Sequence, residues 1–234
     1  MKVDIWSDIM CPFCYIGKRN FENALDQFEH KDDIKIQWRS FQLAPELVTD
    51  PSKNAYDYLA EKKGWTLEYT KKIHSQLESS AREVGLVYNF DTAIPANSFN
   101  AHRLSHLAAR HLVQGELEER LFRAYFTEGK NIDDTEVLVQ LGVETGLPAE
   151  EIREMLQSDL YADQVSLDIN MAQQVGVQGV PFFVIDNKYA VSGAQPSEVI
   201  LEALQKTWHE NKNELGSNPS EGTDNAACST DGNC

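Results

Sequence analysis

The chain has 234 residues, with 21 Lys and Arg against 37 Asp and Glu, so its formal net charge is −16. This length predicts one or two domains with a substantial core. The acidic balance disfavours nucleic acids and anionic membranes as partners, because both need clustered basic side chains. No apolar run approaches the roughly 20 residues of a membrane-spanning helix, and the N-terminus shows no secretory signal. We therefore expect a cytoplasmic protein without nucleic-acid or membrane partners.

The N-terminal part alternates between strand and helix patterns. Residues 3–6 and 34–38 alternate in the way typical of strands, and residues 13–29 between them follow a helical spacing. Residues 53–175 are then almost entirely helical in pattern, interrupted by Gly and Pro at turn positions. Seven helices are predicted in this block, at residues 54–62, 66–84, 98–113, 116–128, 134–145, 149–157 and 161–175.

Strand patterns return after the helical block. Residues 180–185 form a continuous apolar run that is typical of a strand buried on both faces. Asp186 and Asn187 are turn residues that predict a hairpin into a further strand at residues 189–192. A closing helix is predicted from Ser197 to about His209, after Pro196.

This order of elements predicts the α/β fold class, with one domain split in sequence by another. The α/β domain comprises residues 1–52 and 176–213, and an all-helical domain, residues 53–175, is inserted in it. Residues 214–234 are rich in Gly, Ser, Asn and Asp and lack aromatic side chains. Such a segment buries too little apolar surface to offset its ordering entropy, so we expect a flexible C-terminal tail.

A Cys-Pro-Phe-Cys segment lies between the first strand and the first helix. The free amides and the macrodipole of a helix N-terminus favour a thiolate there, so we expect Cys11 to be the nucleophile. Two intervening residues let Cys14 reach Cys11 and resolve a mixed disulfide. Pro12 loses no hydrogen bond in the first helical turn. The segment therefore predicts thiol–disulfide chemistry.

The other two cysteines, Cys228 and Cys234, lie in the predicted tail. They form a candidate second redox pair, with spectator thiols as the alternative. The two pairs together could also hold zinc, but five residues separate Cys228 from Cys234, and structural zinc sites usually join two shorter hooks. We therefore expect no metal.

Pro181 stands at the start of the predicted buried strand, where it cannot donate to a ladder. A cis Val180–Pro181 bond would turn the backbone of Val180 outward beside the thiols, where it could pair with an extended peptide. An ordinary trans Pro at the start of a strand is the alternative.

Together these features resemble the thioredoxin superfamily, in its DsbA-like branch, and are most similar to the FrnE-type oxidoreductases. The branch also includes 2-hydroxychromene-2-carboxylate isomerases and kappa-class glutathione transferases. The likeness spans about residues 1–209, and it is carried by the segments DIWSD at residues 4–8, CPFCYIG at 11–17, NSFNAHRL at 97–104, GVQGVPFF at 176–183 and SGAQ at 192–195.

The resemblance implies a thioredoxin fold whose helical domain is inserted between the second strand and the cis-Pro strand. It implies that Cys11 is the nucleophile, Cys14 the resolving thiol and Pro181 the cis-Pro. We expect Pro12, Phe13 and Val180 to contact the substrate as well. Periplasmic DsbA-type motifs carry Pro-His between the cysteines, so Pro-Phe predicts a less oxidising pair.

The expected function is that of a dithiol–disulfide oxidoreductase or isomerase acting on protein or small-molecule thiols and disulfides. One alternative is a glutathione-dependent isomerase or transferase, although those relatives typically have Ser where Cys11 stands. Another is a non-enzymatic redox sensor or chaperone. We expect no bound cofactor, with glutathione as an optional co-substrate, and either a monomer or a homodimer.

Two further side chains are candidates for the cleft between the domains, Asn97 and His102. His102 shares one face of a predicted helix with His106 and Arg110. The alternative is therefore that these side chains are ordinary interface and surface residues. Large aromatic side chains are predicted to lie in the core: Trp38, Trp65, Phe122, Tyr125 and Phe126.

Overall fold

The computed structural model describes residues 1–216, and the side chains of residues 1–213. Cys228, Cys234 and nearly all of the predicted tail at residues 214–234 lie outside this part. The described strands are β1 (Lys2–Ser7), β2 (Lys35–Ser40), β3 (Phe182–Ile185) and β4 (Tyr189–Ser192). The described α-helices are α1 (Pro12–Gln27), α2 (Ala55–Lys63), α3 (Leu67–Glu83), α4 (Phe99–Arg110), α5 (Gln114–Phe126), α6 (Thr135–Glu144), α7 (Ala149–Leu156), α8 (Ala162–Val175) and α9 (Ser197–Gly216).

The four strands form one mixed sheet in the order β2-β1-β3-β4. β1 is parallel to β2 and antiparallel to β3, so Ile5 lies between Trp38 and Phe183. β3 and β4 are antiparallel and joined by Asp186 and Asn187, which both have positive φ, as a type I′ hairpin turn requires. Because β1 has a neighbour on each side, its residues from Val3 onward are buried.

Helices α2 to α8 lie in sequence between β2 and β3. The fold is therefore the predicted thioredoxin fold with helices inserted between the second strand and the cis-Pro strand. The domain limits at residues 53 and 175 stay a prediction. Within the described residues, no helix is both long enough and apolar enough to cross a membrane.

Side-chain caps fix where several inserted helices begin. Asp134 accepts a hydrogen bond from the Val137 amide at the start of α6. At the start of α4 the cap comes from Asn97, whose Oδ1 accepts the Phe99 amide at 2.9 Å, while Ser98 makes no side-chain cap bond.

The last helix is longer than its sequence pattern predicts. It continues past His209 to Gly216, so it includes the first residues of the predicted tail. The extension is held from outside the helix, because Lys188 donates to Asn211 Oδ1 at 2.8 Å and Asn211 donates to Asp186 in the β3–β4 turn. Polar contacts with a distant turn, which periodicity does not register, thus stabilise the extra turns.

Two main apolar clusters form the core. One lies under α1 and α9 on one face of the sheet and contains Val3, Ile5, Phe21, Trp38, Phe183, Ile185, Ile200 and Leu204. The other fills the helical insertion and extends to the start of α1, where Ile9, Cys11, Cys14 and Tyr15 join Leu104, Leu121, Phe122 and Phe126. The segment that carries the two cysteines is therefore packed against the insertion.

Trp65 is the exception among the aromatic side chains predicted for the core. It is 36% exposed and contacts Tyr69 edge-on, with 5.1 Å between the ring centroids. The prediction is wrong because Trp65 follows Gly64, whose left-handed backbone ends α2 at the surface.

Candidate active site

The two cysteines lie at the N-terminus of α1. Cys11 is the residue that precedes the helix, and Pro12 is its first residue. The Cys11 amide donates to Asp8 O at 2.9 Å, and the Cys14 amide donates to Cys11 O at 3.0 Å. Both cysteines are free thiols, 4% and 1% exposed respectively. A first thiol at the helix end and a second one turn inside is the arrangement in which one sulfur attacks and the other resolves.

The chain segment before β3 approaches the first thiol. The Val180–Pro181 peptide bond is cis. Cys11 Sγ donates to Val180 O at 3.4 Å, and Pro181 O accepts the Gly193 amide at 2.8 Å. The cis bond thus places the Val180 backbone beside Cys11, while Pro181 joins its segment to the end of β4.

Gly17 makes this close approach sterically feasible. A Cβ at Gly17 would lie 2.7 Å from Cγ and 3.3 Å from Cβ of Pro181. A proline ring cannot rotate away from such a contact, so α1 and the cis-Pro segment can pack together only where α1 carries glycine. The site therefore depends on a residue that the sequence motif contains but whose role only the structure shows.

We expect Gly17→Ala to lower the free energy of unfolding by about 1–3 kcal/mol, the usual cost of overpacking, and to reduce disulfide exchange. The matched control is Gly115→Ala in α5, where a Cβ would meet no atom within 4 Å. That variant should gain up to about 1 kcal/mol from helix propensity. Urea denaturation of both variants measures the difference, and equal stabilities would contradict the steric account.

The second thiol is chemically distinct because of its surroundings. Burial raises the pKa of Cys14 well above its ordinary value, and the neighbouring Cys11 raises it further. A resolving thiol with a high pKa stays protonated until a mixed disulfide at Cys11 draws it into reaction.

Aromatic side chains of the insertion hold the start of α1. Tyr15 stacks on Phe122, with 5.0 Å between the ring centroids, and its hydroxyl donates to Glu119 Oε1 at 2.6 Å. Tyr88 donates its hydroxyl to Pro12 O at 2.6 Å. The sequence carries no signal for the role of Tyr88, since it lies 76 residues from Pro12 and no local pattern connects the two.

Asp8 is a fully buried carboxylate in the active-site loop, the segment of residues 8–11 that joins β1 to α1. Its oxygens accept the amides of Met10 at 3.2 Å and Leu43 at 2.7 Å. His102 Nε2 lies 3.6 Å from Asp8 Oδ1, and the His102 side chain is only 3% exposed. The structure therefore brings His102 under the active-site loop, facing Asp8 and away from solvent.

Asn97 lies between the segment after β2 and the start of α4, and both ends of its side-chain amide form hydrogen bonds. Its Nδ2 donates to Pro45 O at 3.1 Å and Leu47 O at 3.0 Å. Its Oδ1 accepts from Gln42 at 3.0 Å in addition to the Phe99 amide. These contacts join the segment after β2 to the start of α4.

A buried charge cluster ties α8 to the sheet. Asp168 Oδ1 lies 2.8 Å from Arg39 Nη1, and Asp168 Oδ2 accepts the Ser40 amide at 3.0 Å and lies 3.2 Å from His106 Nε2. Burial would raise the pKa of Asp168, but hydrogen bonds from His106, Ser40 and Arg39 outweigh it and hold that pKa below its ordinary value. Asp168 O also accepts the indole N–H of Trp6 at 2.9 Å.

Two cavities differ in their relation to the thiols. A cleft of about 810 Å³ lies over α1, α5 and the edge of β2, and neither Cys11 nor Cys14 lines it. Its basic side chains are ion-paired, as Lys18 and Arg19 are with Glu119 at 2.7 and 2.9 Å. A smaller cavity of about 250 Å³ reaches the active-site loop. We therefore assign no chemistry to the larger cleft.

The surface that a substrate would meet is mostly apolar. Phe13 is 49% exposed, and Pro12 and Val180 are partly exposed around the buried Cys11.

Among residues 1–213, no three His, Cys, Asp or Glu side chains are grouped so that they could hold a metal ion.

Known proteins are similar to this chain in sequence and in fold. The DSBA-like thioredoxin domain family matches residues 2–205. The chain belongs to this family. Its structure superimposes on a probable DsbA oxidoreductase, SCO1869 from Streptomyces coelicolor, with a TM-score of 0.84 and 38% identity, covering 99% of this chain and 97% of that one.

Two further comparisons are more distant. YwbO of Bacillus subtilis (strain 168) is 27% identical over 210 residues, which are 86% of this chain and 94% of that protein. The cytosolic disulfide reductase DsbM from Pseudomonas aeruginosa with GSH is 15% identical with a TM-score of 0.58, covering 92% of this chain and 100% of that one. The latter likeness is one of fold. As a family member the chain is a DsbA-like thiol oxidoreductase, whereas the FrnE-type assignment stays a prediction.

Proposed function

We propose that this protein is a dithiol–disulfide oxidoreductase that works in the cytoplasm. The Cys11 thiolate attacks a substrate disulfide, which forms a mixed disulfide and releases the first substrate thiol. Cys14 then attacks Cys11 Sγ, which forms the Cys11–Cys14 disulfide and releases the second thiol. Two electrons pass from the enzyme dithiol to the substrate, and the reverse sequence oxidises a substrate dithiol.

One observation carries the proposal. Cys11 Sγ lies at the N-terminus of α1 and 3.4 Å from the carbonyl of a cis Val180–Pro181 bond. An extended polypeptide held against the Val180 backbone would bring its disulfide to that sulfur.

Insulin reduction and reactivation of scrambled ribonuclease test the proposal. The full chain with Cys228→Ser and Cys234→Ser should catalyse at least one of them, because Cys11 and Cys14 suffice in the proposed cycle. Absence of both activities, with both thiols titratable and the fold intact, would overturn the proposed function.

We also propose that Cys228 and Cys234 exchange electrons with the active site. Comparing the turnover of the unsubstituted chain with that of a chain lacking residues 227–234 tests this second proposal.

Glutathione is the co-substrate that we propose. Two glutathione molecules would reduce the Cys11–Cys14 disulfide to the dithiol and leave as glutathione disulfide. The structure of DsbM with GSH supports the choice of this thiol for the test. Turnover with glutathione as the sole reductant should approach that with dithiothreitol, and turnover with dithiothreitol alone would exclude glutathione as the reductant.

We expect Phe13→His to raise the reduction potential by on the order of 30 mV, because a protonated imidazole beside Cys11 would stabilise the thiolate of the reduced form. The parent should lie between about −270 and −120 mV, nearer the reducing end. Phe13→Leu is the matched control and should change the potential little, since it adds no charge. Equilibration against glutathione buffers measures all three, and equal potentials would show that the residue at position 13 is not the determinant.

A further inference from the structure

The cavity beside the active-site loop is mostly apolar, and part of its lining comes from the residues next to Cys11. It measures about 250 Å³ and lies between the segment after β2 and helices α2, α3 and α5. Met10 and Pro12, which flank Cys11 in the chain, form one side of it. Leu59, Leu77 and Phe90 are among the apolar side chains that line the rest.

The histidine that lines this cavity contributes to its apolar character. His74 Nδ1 lies 2.9 Å from Thr70 O, and the ring packs edge-on against Phe90 with 4.4 Å between centroids. Burial lowers the pKa of His74, so the ring is neutral near pH 7. No Asp or Glu is among the described residues that line the cavity.

Two lysines of α2, Lys62 and Lys63, also line this cavity. Lys62 Nζ donates to the Tyr58 hydroxyl at 3.1 Å and to Leu43 O at 3.3 Å. Within the described part of the chain, neither lysine lies within ion-pair distance of a carboxylate, whereas Lys53 pairs with Glu61 of the same helix at 3.2 Å. Two lysines without a carboxylate within 4 Å among the described residues therefore stand beside an apolar cavity, in a chain of net charge −16.

We propose that this cavity binds one large apolar side chain of the polypeptide whose cysteine reacts with Cys11, with an acidic group of that polypeptide paired to Lys62 or Lys63. The volume is below the roughly 300–1,000 Å³ of sites for drug-sized ligands, so it suits a single side chain. Because Met10 and Pro12 flank Cys11, that side chain lies within two residues of the reacting cysteine, at about 3.3 Å per extended residue.

This inference rests on the proposed exchange and names its substrate class. Substrates would be disulfides in extended segments that carry a large apolar residue near the cysteine and a carboxylate beside it. Enclosing one such side chain raises the rate constant for attack by about tenfold or more.

Synthetic peptide disulfides test the preference directly. Each peptide carries one cysteine joined to thionitrobenzoate, with Phe placed at one of the two positions on either side and Ala elsewhere. A second series of peptides carries, in addition, Asp or Lys at the position next to the Phe. The reduced chain with Cys228→Ser and Cys234→Ser attacks the peptide sulfur and releases thionitrobenzoate, whose absorbance gives the second-order rate constant. At least one Phe position should react about tenfold faster than the all-Ala peptide, and Asp should exceed Lys several-fold.

Variants connect the preference to the cavity. Ala44→Phe fills the cavity from the half-buried segment after β2 and should bring the Phe-to-Ala rate ratio close to 1. A chain with Lys62→Gln and Lys63→Gln together should lose most of the advantage of Asp over Lys. Lys72→Gln changes an exposed lysine of α3 that does not line the cavity, and it should leave that advantage unchanged. If Ala44→Phe does not fold, these lysine variants decide, because an unchanged advantage of Asp over Lys in the double variant would overturn the inference.

The two proposals fail in different ways. Measurable attack on the all-Ala peptide without any preference for Phe or Asp would overturn this inference and leave the exchange function standing. Absence of attack on every peptide would overturn the exchange function. In that case the cavity is tested alone, by calorimetry with a peptide that carries Phe and Asp and has Ser in place of its cysteine. Binding that Ala44→Phe abolishes supports the assignment of the cavity as a side-chain site. Absence of binding overturns that assignment.

Discussion

Replacing Cys11 by Ser is expected to abolish disulfide exchange, with a fall in kcat/KM for insulin reduction of on the order of 10³-fold or more, as for loss of other catalytic nucleophiles. A serine hydroxyl forms no mixed disulfide, and among the described residues only Cys11 places a sulfur at the N-terminus of α1 against Val180 O. Insulin reduction by the chain with Cys228→Ser and Cys234→Ser measures the effect. Retention of more than a tenth of the activity would contradict the assignment.

Alkylation provides an independent check on which thiol reacts. Cys14 is 1% exposed and its pKa is raised by burial, so limiting iodoacetamide at mildly acidic pH should modify Cys11 first. Mass spectrometry of the peptides identifies the modified residue. Faster modification of Cys14 would reverse the roles of the two thiols.

Asp168→Ala is expected to lower the free energy of unfolding by about 3 kcal/mol, the lower part of the range for breaking a buried ion pair. The variant removes the partner of Arg39 Nη1, His106 Nε2 and the Ser40 amide together. Because α8 is then less firmly held to β2, exchange activity should fall at temperatures where the fold persists. Asp26→Ala is the control, since Asp26 is an exposed partner of Lys31 and should cost about 0–1 kcal/mol.

The cost of Asp168→Ala should depend on pH in a defined direction. The pKa of Asp168 is lower in the folded chain than in the unfolded chain, where carboxyl groups titrate near 3.9. Its stabilisation is therefore complete above about pH 5 and is lost as the pH falls through the folded pKa. Urea denaturation of the parent and the variant should show a difference that shrinks below about pH 4. A difference that grows toward acid would contradict the assigned pairing.

Local pattern was sufficient to predict the elements around the thiols. Each of these elements is encoded within a few neighbouring residues. They are the first strand, the two cysteines at the start of a helix (Cys11 and Cys14), and Val180–Pro181 before an apolar run. The fold class follows, because a helical block between two strand pairs has few arrangements other than insertion. Residue type and spacing were thus sufficient to place the two thiols at the start of α1.

What the sequence could not predict depends on contacts between distant residues. Tyr88 contacts Pro12 across 76 positions, and His102 faces Asp8 from α4, so neither contact has a local signature in the sequence. Gly17 lies inside a recognised motif, but its need for space beside Pro181 appears only when the two segments are brought together. The cavity and its lysines have the same origin in tertiary packing.

The most direct test of the account is to trap the mixed disulfide. A chain with Cys14→Ser, and with Cys228 and Cys234 intact, is mixed with a peptide disulfide and analysed by mass spectrometry after acid quenching and digestion. The account predicts a peptide adduct on Cys11, which Cys14 is no longer present to displace. Adducts confined to Cys228 or Cys234, or the absence of any adduct on Cys11, would contradict it.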